Sequence, residues 1–284
     1  MTLVPSPSPP SSGPSTIDPL ELRTDLALAR SVVYRALTVG LRLPSVSSLS
    51  ALASGRAALL EAAALLDSSR HAAEPLLPAV RALADLAPAN AADLTAFHAR
   101  LFGHSQGLVC PFETEYGSGG SFRQPQELAD IAGFYLAFGL RPAAGADERA
   151  DHVACECEFM DFLARKEAFV LASGREPDGI RASEAEEMQD VIRRAAAGFL
   201  RDHLARFGLA FATRLMKEAG GGFFGALGGV LVRLLNLECE RLGVPAGAPT
   251  LEVRPPALDD VPMGCGTACG VEPGPVQIEI RGRP

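Results

Sequence analysis

The sequence predicts an all-α fold: a single helical-bundle domain with irregular ends. Apolar residues recur at helical spacing over most of the 284 residues, and Pro, Gly and Asn bound the periodic segments. Strand-like alternation occurs only near the end of the chain, at Val276, Ile278 and Ile280. With 48% hydrophobic and 21% charged residues there is enough apolar surface to offset chain entropy, which excludes a largely disordered protein.

Residues 1–17 are rich in Pro and Ser, lack a basic start and an apolar stretch, and read as a disordered lead-in rather than a secretory leader. Asp18-Pro19-Leu20-Glu21 then supplies an N-cap, a proline at the first helical position and a capping-box glutamate. The helix they open runs to about Gly40 and is stopped by Gly40 and Pro44. Helical segments follow near 47–67, 73–87 and 91–102, and the glycine-rich stretch 103–123 reads as a loop. Pro125 opens a helix through Leu140, closed by Arg141-Pro142. A long helix is expected from about Asp147 to Ala172. A capping box at Ser183-Glu184-Ala185-Glu186 starts another to about Phe207, and two more cover roughly 208–219 and 223–242. The domain therefore spans 18–243, and 244–284 is an irregular tail carrying Cys265 and Cys269. The most apolar late stretch, Phe223 to Val232, is broken by Arg233 and is too short to cross a bilayer.

Charge narrows the function. The net charge of −8 disfavours a nucleic-acid binder held by phosphate contacts. Residues 147–190 hold 13 acidic and five basic side chains, so this one segment carries an excess equal to that of the whole chain. An acidic face of this kind attracts a basic peptide; the plainer reading is a solvated helix surface. All but two of the 26 basic residues (Lys166 and Lys217) are arginine. Six cysteines in no even framework (Cys110, Cys155, Cys157, Cys239, Cys265, Cys269) indicate reduced thiols and a cytoplasmic setting.

The chain has no GxGxxG after a strand, no GxxxxGK[ST], no GxSxG and no HExxH, so elimination favours a binding or assembly factor over an enzyme. The densest polar cluster is Asp151-His152-Val153-Ala154-Cys155-Glu156-Cys157-Glu158. His152 and Glu156 share a helix face and suit a shared metal or hydrogen bond; alternatively the Asp-His pair only caps and orients its helix. Cys265 and Cys269, framed by glycines, would supply half of a tetrahedral metal or iron–sulfur site, or form a redox-reactive dithiol in a flexible tail. Phe134, Tyr135 and Phe138 form an aromatic stripe that reads as core, with Gly133 placed for close approach of another helix. His71, His98, His104 and His203 read as structural or surface groups.

Arg100-Leu-Phe-Gly103, Cys110-Pro-Phe-Glu-Thr-Glu-Tyr116 and Glu127-Leu-Ala-Asp-Ile-Ala-Gly-Phe-Tyr-Leu-Ala-Phe-Gly-Leu140 come in that order. Glu148-Arg-Ala-Asp-His152, Glu156-Cys-Glu-Phe-Met160, Lys166-Glu167 and Arg201-Asp-His-Leu204 follow. In order and spacing these resemble the TorD/DmsD/NarJ family of redox-enzyme maturation chaperones, over about residues 90–205. Two positions depart from the family's usual pattern: Ala150 stands where Pro commonly precedes Asp-His, and Cys157 where Leu often lies between the glutamates.

The resemblance implies an all-helical TorD-like domain and a cytoplasmic, non-enzymatic chaperone without a cofactor of its own, monomeric or homodimeric. Its implied partner is a molybdopterin oxidoreductase catalytic subunit, bound through its twin-arginine signal peptide, its immature body or both. Binding would assist cofactor insertion and hold back export. Carried over by position, Leu101, Phe102, Pro111, Glu113 and Tyr116 would lie at the peptide-binding surface, and Asp151, His152 and Glu156 would form its polar side. Reversing the charge of Asp151 or Glu156 is then expected to weaken peptide binding without unfolding the protein. The alternative is a metal- or iron–sulfur-binding assembly factor that uses Cys265 and Cys269; an enzyme with an unrecognised helical site is the third class.

Overall fold

A computed structural model of the chain describes residues 18–69, 74–86, 91–103, 107–117, 123–141, 149–174 and 181–254. Residues 1–17, His71, His104, Cys265, Cys269 and the alternating stretch 276–280 lie outside them.

The first helix, α1 (Pro19–Leu41), begins as its capping signals require: the Asp18 carboxylate accepts the Leu20 N–H at 2.9 Å, and Pro19 sits in the first turn. It is followed by α2 (Val46–Ser54) and α3 (Arg56–Ser68). The continuous apolar pattern of 47–67 is thus two helices, bent by 54° at Gly55. A capping box between Ser45 and Ser48 starts the first of them. Next come α4 (Leu77–Leu86), α5 (Ala91–Phe102) and α6 (Gln124–Ala137). Helix α7 (Val153–Ser173) starts six residues later than the pattern suggests, because His152 rather than Asp147 is its N-cap. Helices α8 (Ala182–Phe199) and α9 (Ala205–Ala219) are joined by a turn, Leu200–Leu204, in which the Ala205 N–H reaches back to the Leu200 carbonyl. That i→i+5 bond is a π-bulge. Helix α10 (Phe223–Leu242) closes the bundle at Gly243, whose φ of 67° is the left-handed conformation of a helix C-terminus. Among the described residues no single helix is long and apolar enough to cross a membrane; the bent pair α2–α3 meets that test only taken together.

Helix α1 runs antiparallel to α7 and also packs on α3 and α10, while α9 and α10 form a hairpin. An ionic seam joins three of these helices. Arg30 of α1, 4% exposed, bonds Glu167 of α7 at 2.6 Å, and Glu238 of α10 lies 3.6 Å from its Nε. Arg241 closes the seam with a two-point contact to Glu238. Asp161, inside the expected acidic face, is buried: it accepts the Ser31 hydroxyl at 2.6 Å and faces Arg35 and Arg165.

Helix α10 is apolar nearly all round and buries Phe223, Phe224, Leu227, Val230, Leu231, Leu234 and Leu235. It approaches α9 closely because Gly228 has no side chain: a Cβ there would stand 2.8 Å from Met216 Cγ and 2.9 Å from the Ala212 carbonyl oxygen. Gly228→Val is expected to destabilise the protein by about 2–3 kcal/mol through overpacking. Urea unfolding checks this, and a midpoint equal to that of the wild type would show that the helices separate freely.

The Phe134–Tyr135–Phe138 stripe is core, as its spacing suggests. Phe134, Tyr135 and Phe138 all pack on Phe159, with ring centroids 5.0–6.5 Å apart, and Phe199 meets Phe159 at 4.7 Å. Gly133, expected to admit a close neighbour, faces open space instead.

Residues 244–254, which the sequence assigns to an irregular tail, run back along the helical body. Gly247 passes so close to α9 that a Cβ would fall 2.0 Å from the Ala205 carbonyl oxygen. Val253 then pairs with Tyr116.

Candidate functional site

The segment leaving α5 folds back at once: the Val109 N–H bonds the Leu101 carbonyl at 2.8 Å. It then makes one 3₁₀ turn, Glu113–Glu115, which is the hub of the site. Six of the eight residues predicted from sequence meet here: Pro111, Glu113, Tyr116, Asp151, His152 and Glu156. The Pro111 carbonyl accepts the Val153 N–H at 2.9 Å, and the Tyr116 hydroxyl donates to the Cys110 carbonyl at 2.7 Å. Leu101 and Phe102 belong to a neighbouring apolar cluster, where Phe102 packs on His98, Phe211 and Phe224. Phe211 and Phe207 connect that cluster to the Tyr116 ring.

The expected surface placement of Asp151, His152 and Glu156 is replaced by an interior one. Glu113, Asp151 and Glu156 are fully buried, and His152 is 8% exposed. Asp151 and Glu113 are paired there with arginines, one adjacent in sequence and one distant. Asp151 accepts the Thr114 N–H at 3.2 Å, the Thr114 hydroxyl at 2.8 Å and a two-point contact from Arg149 at 2.8 and 3.0 Å. The Arg149 guanidinium also lies 4.4 Å from the Phe112 ring centroid and bonds Glu115. Glu113 is held by Arg206 and lies 3.2 Å from His203 Nδ1. His203 lies in the π-bulge and Arg206 in the first turn of α9. Arg254 completes the set, donating to the Thr114 carbonyl at 2.6 Å and to both oxygens of Glu127 at 3.3 Å. Gln124 of α6 donates to the same Thr114 carbonyl and to Glu115.

His152 Nδ1 accepts the Ala154 N–H at 3.1 Å, so the histidine caps α7, and its ring meets Phe112 edge-on. No group of three or more potential metal ligands occurs among the described residues. Neither Glu156 oxygen meets a donor of the chain, and its one polar neighbour at hydrogen-bonding range is the Glu113 carboxyl. Burial, together with the Glu113 carboxylate beside it and Asp151, holds its pKa well above the usual carboxylate range. Its proton is therefore held more tightly than on an exposed glutamate. Burial also pushes the Cys110 thiol up to about 11 and the Cys157 thiol well above its ordinary value, so neither is a ready thiolate.

Sequence reasoning missed Thr114, Glu127, Arg149, Arg206 and Arg254 as members of the site, and placed His203 among structural or surface groups. The only local signal was Arg149, two residues before Asp151.

The profile of the nitrate reductase delta subunit family matches residues 62–213, from within α3 to α9 and including the hub. The chain is 26% identical over 225 residues to the perchlorate reductase assembly chaperone protein of Dechloromonas aromatica (strain RCB), covering 78% of this chain and 92% of that protein. It is 35% identical over 131 residues to the dimethyl sulfide dehydrogenase assembly chaperone protein of Rhodovulum sulfidophilum, covering 42% of this chain and 52% of that protein. No solved structure matches the chain.

Proposed function

The chain belongs to the nitrate reductase delta subunit family, and on that premise we propose that it is the assembly chaperone of one molybdopterin oxidoreductase in the cytoplasm. The observation that carries the reading is the likeness to an assembly chaperone along 78% of the chain. Members of this family assist assembly rather than catalyse a reaction, and the same is said of this chain. Its mechanism is binding and release.

The client is a catalytic subunit still lacking its molybdenum cofactor, recognised through its twin-arginine signal peptide and its immature body. Holding both keeps the subunit soluble and delays export until the cofactor is in place. The chemistry of the hub supports this reading. The carboxylates of Glu113, Asp151 and Glu127 lie around the Tyr116 segment, whose ring packs on Phe207, and the chain's own guanidinium groups already pair with them. A site that pairs carboxylates with arginine next to aromatic rings matches a leader with a basic start and an apolar body.

A tagged pull-down from the native host is expected to recover an oxidoreductase catalytic subunit with its leader attached. Recovery of the subunit equally well after its leader is deleted would remove the signal-peptide half of the reading. Recovery of no oxidoreductase would remove all of it.

A further inference from the structure

In this helical protein, both extended pairings among the described residues fall on one short segment, 112–117: Phe112 with His152, and Tyr116 with Val253. The second is a small antiparallel ladder. The Gly117 N–H bonds the Glu252 carbonyl at 2.8 Å, and the Arg254 N–H bonds the Glu115 carbonyl at 2.7 Å. Tyr116 and Val253 face each other between these two bonds. Both bonds are made by main-chain atoms, so any extended segment can make them.

What makes the edge selective is the pocket for Arg254. Its side chain is 8% exposed, and its guanidinium reaches the carbonyls of Thr114 and Gly117 and both oxygens of Glu127. Three separate acceptor groups served by Nε and both terminal nitrogens suit a guanidinium fork; a lysine ammonium cannot satisfy them together.

The strap that delivers Arg254 is lightly held. Pro245, Ala246, Ala248, Pro249, Thr250 and Glu252 are exposed, and Val244, Gly247, Leu251 and Val253 turn only partly inward before Arg254. A segment anchored chiefly at its end opens at lower free-energy cost than the helical core.

We propose that residues 250–254 are an intramolecular stand-in for the client. They occupy an arginine-reading edge at 113–117 that accepts an extended, arginine-bearing segment of the client's leader when the strap leaves. Identifying the occupant as the leader rests on the chaperone reading above; the edge and its preference for arginine do not. The strap thus sets a threshold: only a segment offering both the ladder and an arginine displaces it, and the chaperone does not take up basic peptides indiscriminately.

The test uses the full chain and a fluorescent peptide with the sequence of residues 247–254, Gly-Ala-Pro-Thr-Leu-Glu-Val-Arg. A strap closed nine-tenths of the time lowers apparent affinity about tenfold. The peptide is therefore expected to bind Arg254→Ala, which empties the pocket but keeps its acceptors, about tenfold more tightly than the wild type. Gly247→Val, which drives a side chain into the Ala205 carbonyl and levers the strap away, is expected to give the same gain. Adding Glu127→Gln to Arg254→Ala should cancel the gain, as should replacing the peptide's arginine by lysine. Equal binding to wild type and both opened variants overturns the stand-in. A gain unaffected by Glu127→Gln or by lysine overturns the arginine pocket. The synthetic leader of the recovered client should compete with the fluorescent peptide on Arg254→Ala. A gain without competition keeps the edge and removes the leader as its occupant.

Discussion

Asp151→Ala is expected to destabilise the protein by about 3 kcal/mol, which for a domain of this size lowers the melting temperature by roughly 6–12 °C. Asp151 is fully buried and accepts from three partners: the Thr114 N–H, the Thr114 hydroxyl and the Arg149 fork. Alanine leaves the buried Thr114 N–H without an acceptor, and a buried donor stripped of its partner costs about 1–3 kcal/mol. Arg149 adds less than a fully buried partner would, because its side chain is 38% exposed and water takes over part of its solvation. Asp151→Asn keeps an acceptor for Thr114 and should lose about half as much. Asp151→Lys should not fold, because it sets a second cation against Arg149 in the interior. The expectation from sequence alone was a charge reversal that weakens peptide binding and spares the fold; the burial of Asp151 reverses it. Circular dichroism melts of the three variants check the order, and a folded Asp151→Lys with wild-type stability would overturn the structural role assigned here.

How much of this was legible in the chain differs between the helices and the site. Helices α1 and α10 follow from apolar spacing, and the start of α1 also from Asp18 and Pro19, because periodicity and caps are local properties. The division of 47–67 at Gly55 was hidden, since leucines and alanines keep helical spacing through the bend and Gly55 has an ordinary helical φ of −80°. The π-bulge at Leu200–Leu204 leaves no trace either, as an i→i+5 bond demands no particular residue type. The start of α7 was misplaced because Asp147 and Glu148 look like first-turn acids, whereas the cap is the side chain of His152.

At the site, Glu113, Asp151, His152 and Glu156 were legible as a motif, but their surroundings were not. Arg206 is 93 positions from Glu113, and Arg254 is 127 positions from Glu127. In a chain where nearly every basic residue is arginine, nothing marks which ones turn inward. Asp151 and Asp161 are buried facing arginines, and Glu156 is buried without one. Counting charge along 147–190 treats every acid as solvated, yet these three lie inside the fold. The solvent-facing acids of that stretch include Glu184, Glu186 and Glu187 of α8.

Glu156→Gln is expected to raise stability at neutral and alkaline pH and to lose that advantage in acid. In the folded protein the Glu156 carboxyl holds its proton more tightly than a free glutamate because it is buried, lies beside Glu113 and Asp151, and has no donor to either oxygen. In the unfolded chain it ionises near the ordinary glutamate value of about 4.3. Above that value the folded state binds one more proton than the unfolded state, so rising pH favours unfolding, by at most about 1.4 kcal/mol per pH unit. The loss continues until the pH reaches the raised folded value. Below about pH 4 both states are protonated and the penalty vanishes. Glutamine has the shape of the neutral acid and cannot ionise, so it removes the penalty and keeps the packing against Glu113. Urea unfolding at pH 5 and pH 8 should show the variant gaining on the wild type as pH rises. A variant that is less stable by the same amount at both values would mean that Glu156 is ionised in the folded protein and held by a donor.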